Sequence, residues 1–313
     1  MRTITTDDFS RPLCERSVVT IGNFDGVHRG HREIFSRVRR RADLLGAAAV
    51  VVTFDPHPLK LLDPERPLRL ITTREQQRAL IAESDIDLLL VIPFTPAFAA
   101  TPAEAFVRTV LHGCLGVRAL VIGHDYAFGR GREGDEQLLE RLSGELGFEL
   151  IALDPVGERE LLFSSSAVRR LVAQGNVAGA VAMLGRCHRV TGQVVPGRRI
   201  GRTLGFPTAN IVTANELIPA DGVYAVWVEV AGELHQGACS IGVNPTFDGG
   251  SHTIEAFLFD YDGDLYGREI VLHFVDRLRD IVRFNDVESL MAQIRTDVAR
   301  CRDLLMAGLP VEA

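Results

Sequence analysis

Lysine is almost missing from this chain: Lys60 is the single one, and the remaining fixed cations are arginine. The charge balance is acidic, 34 Lys+Arg against 41 Asp+Glu, for a formal net charge of −7. Broad, sequence-independent nucleic-acid binding needs a basic face to release counterions, so this balance argues against it. The arginine bias reads as GC-rich coding, although guanidinium groups also suit phosphate ligands. Long hydrophobic runs are missing too. The longest, residues 44–54, contains a glycine and falls short of the ~20 residues a membrane span requires. The opening MRTITTDDFSR has no apolar stretch after its early arginine, so no secretory leader is expected. Cysteine is scarce: Cys14, Cys114, Cys187, Cys239 and Cys301 are odd in number, widely spaced and without a C-x-x-C pair. That pattern speaks for reduced, structural thiols rather than a disulfide framework or a zinc site. What is left is a soluble, cytoplasmic protein of 313 residues, about two domains long at roughly 150 residues each. Its 46% hydrophobic and 24% charged residues suit sizeable cores.

Strand and helix patterns alternate through the first half. Short apolar or β-branched runs at 17–21, 47–54, 87–92, 118–122 and 148–153 are separated by helical patterns at 29–45, 73–83, 102–112 and 136–146. In the first helical stretch Ile34, Phe35 and Val38 recur on the face opposite the arginines. The continuous apolar run at 47–54 suits a strand buried on both faces. The alternation predicts a doubly wound α/β domain, a parallel sheet with helices on both sides. Two small helices, 166–173 and 177–184, close this region. Beyond residue 186 the pattern changes to short alternating runs at 189–195, 222–230, 234–241, 253–259 and 270–278, separated by Gly, Pro, Asn and Asp. These suit the strands of a small antiparallel β-barrel. Helical spacing returns at 286–306 through Leu290, Ile294, Val298 and Leu305. No internal repeat is present, so the domains are expected at 1–186 and 187–313, each with its own core.

The most informative stretch is Gly22-Asn23-Phe24-Asp25-Gly26-Val27-His28-Arg29-Gly30-His31. It follows a strand and opens a helix, where backbone N–H groups and the helix dipole bind phosphate. Glycines let the backbone approach a ligand closely. His28 and His31 are three apart, so both imidazoles lie on one face of the first turn. No nucleophile stands among them, which implies direct in-line transfer with charge stabilised on a phosphate. An arbitrary H-x-x-H is two surface histidines; the preceding strand and flanking glycines favour the phosphate reading. Ser164-Ser165-Ser166 followed by Arg169 is, on the residues alone, a helix cap or a phosphate site in equal measure. Phe54-Asp55-Pro56-His57-Pro58 ends a strand at the carboxyl edge of the sheet, where ligands bind, but it is also a stiff turn. In the second half, Gly197 to Asn210 is a Gly/Arg loop running into Pro207-Thr208-Ala209-Asn210. It is not a Walker A sequence; read blind it is a hairpin loop or a phosphate cradle in which Thr208 and Asn210 offer hard oxygens for magnesium. Glu255 is charged within an otherwise apolar strand, facing either solvent or a site. Asp260, Asp262 and Asp264 lack the distal glutamate of a calcium loop and read as turn residues.

H-x-G-H in this setting resembles the nucleotidylyltransferase superfamily, and GNFDGVHRGH resembles the adenylyltransferase half of the bacterial bifunctional riboflavin kinase/FAD synthetases. Gly123-His124-Asp125-Tyr126-Ala127-Phe128-Gly129 resembles that family's G-x-D-F-x-F-G loop, and Phe163 to Arg169 resembles its I-S-S-T-x-I-R segment. The 197–210 loop is similar to the flavokinase signature. Pro219 to Ala225, Ser240 to Phe247, Ile254 to Leu258 and Asp264 to Gly267 follow in the family's order. The resemblance spans about residues 15 to 305. It implies a nucleotidylyltransferase-like, Rossmann-like domain followed by a riboflavin kinase barrel with a C-terminal helix. It implies ATP and phosphate binding at Gly22, Phe24, Asp25, Gly30, Asp125, Ser164, Ser165, Ser166, Arg169, Gly197, Gly201, Arg202, Gly205 and Thr208. It further implies flavin binding at Phe54, Asp55, Pro56 and Asn244, and magnesium at Thr208 and Asn210. His28 and His31 then stabilise the transferring phosphate, and Glu255 is the base that deprotonates the ribityl hydroxyl. Two departures stand out: Ser240 replaces a frequent asparagine, and Ile281 replaces the usual glutamate on the flavin-side flap.

The expected function is therefore bifunctional: riboflavin phosphorylated by MgATP to FMN, then FMN adenylylated by a second ATP to FAD and pyrophosphate. Riboflavin, FMN and ATP are the expected partners, with no nucleic acid and no membrane, and homo-oligomers left open. The rivals are a kinase with an inactive first domain and a flavin-sensing binding module without turnover. Intact His28, His31 and Glu255 weigh against both.

Overall fold

The computed structural model describes residues 1–123, 126–154, 157–158, 161–197, 205–243 and 252–309. The chain divides into two compact units. The first holds Met1–Leu68 and Arg74–Phe163; the second holds Arg69–Thr73 and Ser164–Ala313. Among the described residues no helix is long and apolar enough to cross a membrane.

The first unit is built on strands β1 (Arg2–Thr5), β2 (Ser17–Ile21), β3 (Ala48–Asp55), β4 (Leu88–Pro93), β5 (Val117–Gly123) and β6 (Glu149–Leu153). They form one sheet in the order β1-β4-β3-β2-β5-β6, every pairing parallel. Side chains of a strand point alternately to opposite faces, and here both faces are buried. Val19, Ile21, Val50 and Val52 enter one apolar cluster, while Val18, Ala49 and Val51 enter another. The first cluster is closed by α5 (Ala103–Phe106), which continues as a π-helical stretch (Val107–Cys114), and by α6 (Glu136–Leu146). The second is closed by α1 (Arg29–Leu45) and α3 (Arg74–Ala82), through Phe35, Val38, Ala42, Leu80 and Ile81. Short helices α2 (Pro58–Leu62) and α4 (Pro96–Ala99) fill two connections, and β7 (Gly157–Glu158) pairs with β8 (Leu161–Leu162). Gly46 ends α1 at φ 54°, a left-handed position that suits glycine.

The second unit is a closed antiparallel barrel, preceded by α7 (Ser165–Ala173) and α8 (Val177–Leu184). Its strands are β9 (His188–Val195), β10 (Ala209–Thr213), β11 (Gly222–Val230), β12 (Glu233–Val243), β13 (His252–Leu258) and β14 (Glu269–Arg279), in the order β10-β13-β12-β11-β14-β9. The interior takes Val190, Val194, Ile211, Tyr224, Val226, Ile241, Ile254, Ala256, Leu272 and Phe274, joined by Val177 of α8. The C-terminal helix α9 (Val287–Leu305) packs Cys301 and Leu305 on the outward side chains Val223, Ala225 and Leu278. Asp286 caps it, accepting from the Ser289 N–H at 2.7 Å.

Candidate active sites

In the first unit the strand order reverses between β2 and β5, and ligands of open α/β sheets bind outside the carboxyl ends at such a point. The histidine loop leaves β2 there, and the segment from Gly123 leaves β5. The loop turns tightly: Phe24, Gly26 and Val27 have φ of 46°, 82° and 38°. Left-handed backbone is costly for Phe and Val, and burial of both side chains holds them in it. The Gln77 Nε2 donates to the Asn23 carbonyl at 2.6 Å, tying the loop to α3.

His28 is the N-cap residue of α1, in extended conformation, and its side chain makes no capping hydrogen bond. The two imidazoles stack, with centroids 3.6 Å apart and planes 23° from parallel. Phe24 meets His31 edge-on at 5.1 Å. A Cβ at Gly30 would lie 3.1 Å from the His28 ring and 3.5 Å from Phe163 Cβ, so a larger residue there would push His28 away. A Cβ at Gly22 would crowd the Phe24 ring at 2.9 Å. Asp25 is buried in the same loop. His28, His31, Gly22, Phe24, Asp25 and Gly30 are thus brought together; Asp125 lies outside the described residues.

At the end of β3, Asp55 pairs with Arg74, and its bond to Pro56 is cis. Phe54 is half-buried beside Phe94 and Phe98, with ring centroids 5.6 and 6.0 Å away. The rings continue through Phe106 to Phe128, on which Tyr126 stacks at 5.5 Å. Phe94, Phe98 and Phe106 escaped the sequence reading; the one visible signal was Phe94, just past the apolar run 87–92.

Ser164, Ser165, Ser166 and Arg169 belong to the second unit. The cap of α7 is Ser164, whose Oγ accepts from the Ala167 N–H at 3.2 Å. That is one residue earlier than expected, because Ser164 is the last residue with extended backbone, φ −148° and ψ 148°. The Arg169 Nε donates to the Arg69 carbonyl at 3.1 Å.

In the barrel, Glu255 lies on the outward face of β13, opposite the inward Ile254, Ala256 and Leu258. Asn210 of β10 is its register partner on one side and Ser240 of β12 on the other. The Thr208 hydroxyl donates to Glu255 Oε2 at 3.3 Å. Thr208, Asn210 and Glu255, 47 residues apart at the extremes of that hydrogen bond, form one oxygen-rich group. A Cβ at Gly197 would sit 2.6 Å from Asn210 Cγ, so only glycine leaves room for that amide. Gly205 has φ of 82°. Gly201, Arg202 and Asn244 lie outside the described residues. Of the three, Thr208 also lines a cavity of about 530 Å³, whose other walls include the inward Val194 and Ala256 and the turn residues Tyr261, Asp264 and Tyr266.

A sequence model of FAD synthetases matches residues 11–167, and one of riboflavin kinases matches 184–305. A bifunctional riboflavin kinase/FMN adenylyltransferase of Escherichia coli K12 is 39% identical over 92% of this chain and 93% of its own. The protein of that name from Pseudomonas fluorescens is 39% identical over 94% of both chains. The chain belongs to the bifunctional riboflavin kinase/FMN adenylyltransferase family. A crystal structure described as a macrolide-efflux protein from Streptococcus pneumoniae is 31% identical, with a TM-score of 0.88 over 96% of this chain and 99% of that one.

The barrel carries two tyrosines without a role in the sequence reading: Tyr261 was not named, and Tyr266 only within the Asp264 to Gly267 match. Tyr261 and Tyr266 flank the cavity, and Asp264 fixes the turn between them by accepting from the Tyr266 N–H at 3.0 Å. Neither tyrosine shows a spacing signal, because both sit in an irregular turn.

Proposed function

We infer that the chain carries out both reactions of its family, with the barrel as kinase and the α/β unit as adenylyltransferase. The observation that carries the kinase assignment is the meeting of Thr208, Glu255 and Asn210, with Thr208 also lining a cavity of about 530 Å³. Glu255 takes the proton of the riboflavin ribityl hydroxyl; the oxygen attacks the γ-phosphorus of ATP, its bond to ADP breaks, and FMN forms. The half-buried carboxylate is held by Thr208 on the outward face, away from the apolar interior.

Magnesium prefers hard oxygen ligands, and the Thr208 hydroxyl and the Asn210 amide oxygen, the latter given room by Gly197, fit it. Among the described residues no group of three His, Cys, Asp or Glu is placed to hold a metal. The proposal is therefore that these two residues share the ion with ATP. When bound, it neutralises phosphate charge.

In the second reaction a phosphate oxygen of FMN attacks the α-phosphorus of another ATP and pyrophosphate leaves. His28 and His31, stacked at the start of α1, stabilise the charge that develops on the α-phosphate. The aromatic run from Phe54 to Phe98 offers the isoalloxazine ring a stacking surface, with Asp55 and Pro56 at its edge. Ser164, Ser165, Ser166 and Arg169 enter as phosphate ligands on the family motif alone. The proposed compartment is the cytoplasm, where ATP and magnesium are supplied together. Incubation with riboflavin, ATP and magnesium, followed by chromatography of the flavins, tests the reading: FMN should appear first and FAD after it. Riboflavin recovered unchanged would contradict it.

A further inference from the structure

We propose that Arg279 and Asp297 are positioning residues for riboflavin, a latch that fixes the loop 280–286, with its exposed Ile281 and Val282, beside the kinase carboxylate. The proposal rests on the kinase reading above. Arg279 is the last residue of β14, and its guanidinium is used on every side. Nε and Nη2 grip the Asp297 carboxylate of α9, the shortest contact being Nη2 to Oδ2 at 2.7 Å. Nη1 donates to the Asp280 carbonyl at 2.9 Å, and the Phe284 ring lies 5.9 Å from the guanidinium carbon. One side chain therefore holds both the start and the middle of the loop. Asp297 is only 6% exposed and also accepts from the Gln293 Nε2 at 2.9 Å, so its own position is set from α9.

Between Asp280 and Arg283 the latch holds out two apolar side chains. Ile281 and Val282 are 46% and 54% exposed, unusual for β-branched side chains on consecutive residues. Ile281 Cγ1 comes within 3.6 Å of where a Cβ of Gly242 would stand, so it rests over the end of β12. Two residues back on that strand, on the same outward face, is Ser240, the register partner of Glu255. The loop thus lines the face from which a flavin must present its ribityl hydroxyl to Glu255. A flat isoalloxazine ring is the ligand of the right chemistry for the exposed apolar pair Ile281 and Val282 at that place. A bidentate carboxylate–guanidinium pair is directional, which suits holding a surface rather than merely adding stability.

The test is steady-state kinetics of the full chain with riboflavin and MgATP varied separately. Asp297→Asn and Arg279→Lys, each of which loses the bidentate charge pair, should raise the riboflavin KM about tenfold. The ATP KM and the conversion of FMN to FAD should stay within about twofold, a split a purely structural pair would not produce. Phe284→Leu leaves the ion pair intact, removes the ring beside Arg279 and should give the same split. It keeps the test decisive should Asp297→Asn fail to fold. An unchanged riboflavin KM in folded Arg279→Lys and Phe284→Leu overturns the latch. Glu255→Gln, assayed alongside, separates the two claims: if it abolishes kinase turnover while the latch variants change nothing, the kinase reading stands and the latch alone is wrong.

Discussion

His28 and His31 stack because three residues of unusual backbone precede them. Sequence spacing placed both rings on one helix face; it did not show that Phe24 and Val27 adopt left-handed φ to turn the chain into that helix. The strain is invisible in sequence because the residues themselves argue against it. Replacing both histidines by alanine should lower FAD formation from FMN by ~10²–10³-fold, the usual loss for removed charge stabilisation. Riboflavin phosphorylation, which uses the other unit, should be unaffected. Both are read by separating flavins after incubation with FMN or riboflavin. A second group was legible only as single letters. Thr208, Asn210 and Glu255 each looked chemically apt, but their meeting depends on the pairing of β10 with β13. Another buried titratable group was not seen at all. His273 of β14 bonds Glu229 at 3.1 Å, yet burial, with help from Arg189, pulls its pKa below the usual 6.5 despite the glutamate. The folded state therefore resists its protonation more than the unfolded chain does. Stability attributable to this residue is complete above pH ~6.5 and is lost as pH falls from there through the lowered folded value. Thermal melts at pH 7 and 5.5 should show a larger drop for the native sequence than for His273→Gln. Equal drops would contradict this.

Most elements were legible where periodicity was strong. β3 reads as a continuous apolar run because both faces of the sheet are covered; β11 alternates only in its second half, where Trp227 and Glu229 are half-buried, and α9 covers the outward Val223 and Ala225 of its first half. Besides the two-residue strands β7 and β8, two strands were missed for opposite reasons. β1, Arg2–Thr5, is a mostly exposed edge strand without an apolar signal, recognised only by its pairing with β4. β10, Ala209–Thr213, alternates inward Ala209 and Ile211 with outward Asn210 and Val212, but five residues after a Gly/Pro-rich loop read as more loop. That strand carries Asn210, so missing it hid half of the kinase group. The helix expected at 102–112 runs to Cys114 through a π-helical stretch, a widening no residue pattern announces.

Across the whole chain the parallel sheet and the barrel were anticipated, and their order along the sequence follows directly from the change in pattern. The grouping of the small pieces was not. Segment Arg69–Thr73 and helices α7 and α8 go with the barrel, tied by a hydrogen bond from the Leu217 N–H to the Leu70 carbonyl at 3.2 Å and by Val177 in the barrel cluster. Their own sequences show only that they are short and helical or turn-like. Full burial of one valine is worth roughly 1.5–3 kcal/mol. A fragment of residues 164–313 should therefore melt higher than one of 187–313; equal melting would show that α7 and α8 add nothing to the barrel. The central claim is that two separate sites perform two successive transfers, and Glu255→Gln addresses it most directly. The substitution keeps size and hydrogen-bonding shape and removes only the base. In matched incubations of the full chain, the account predicts a ~10²–10⁴-fold loss of riboflavin phosphorylation with undiminished conversion of added FMN to FAD. Retention of more than about a tenth of kinase turnover, against that expected loss, would contradict it.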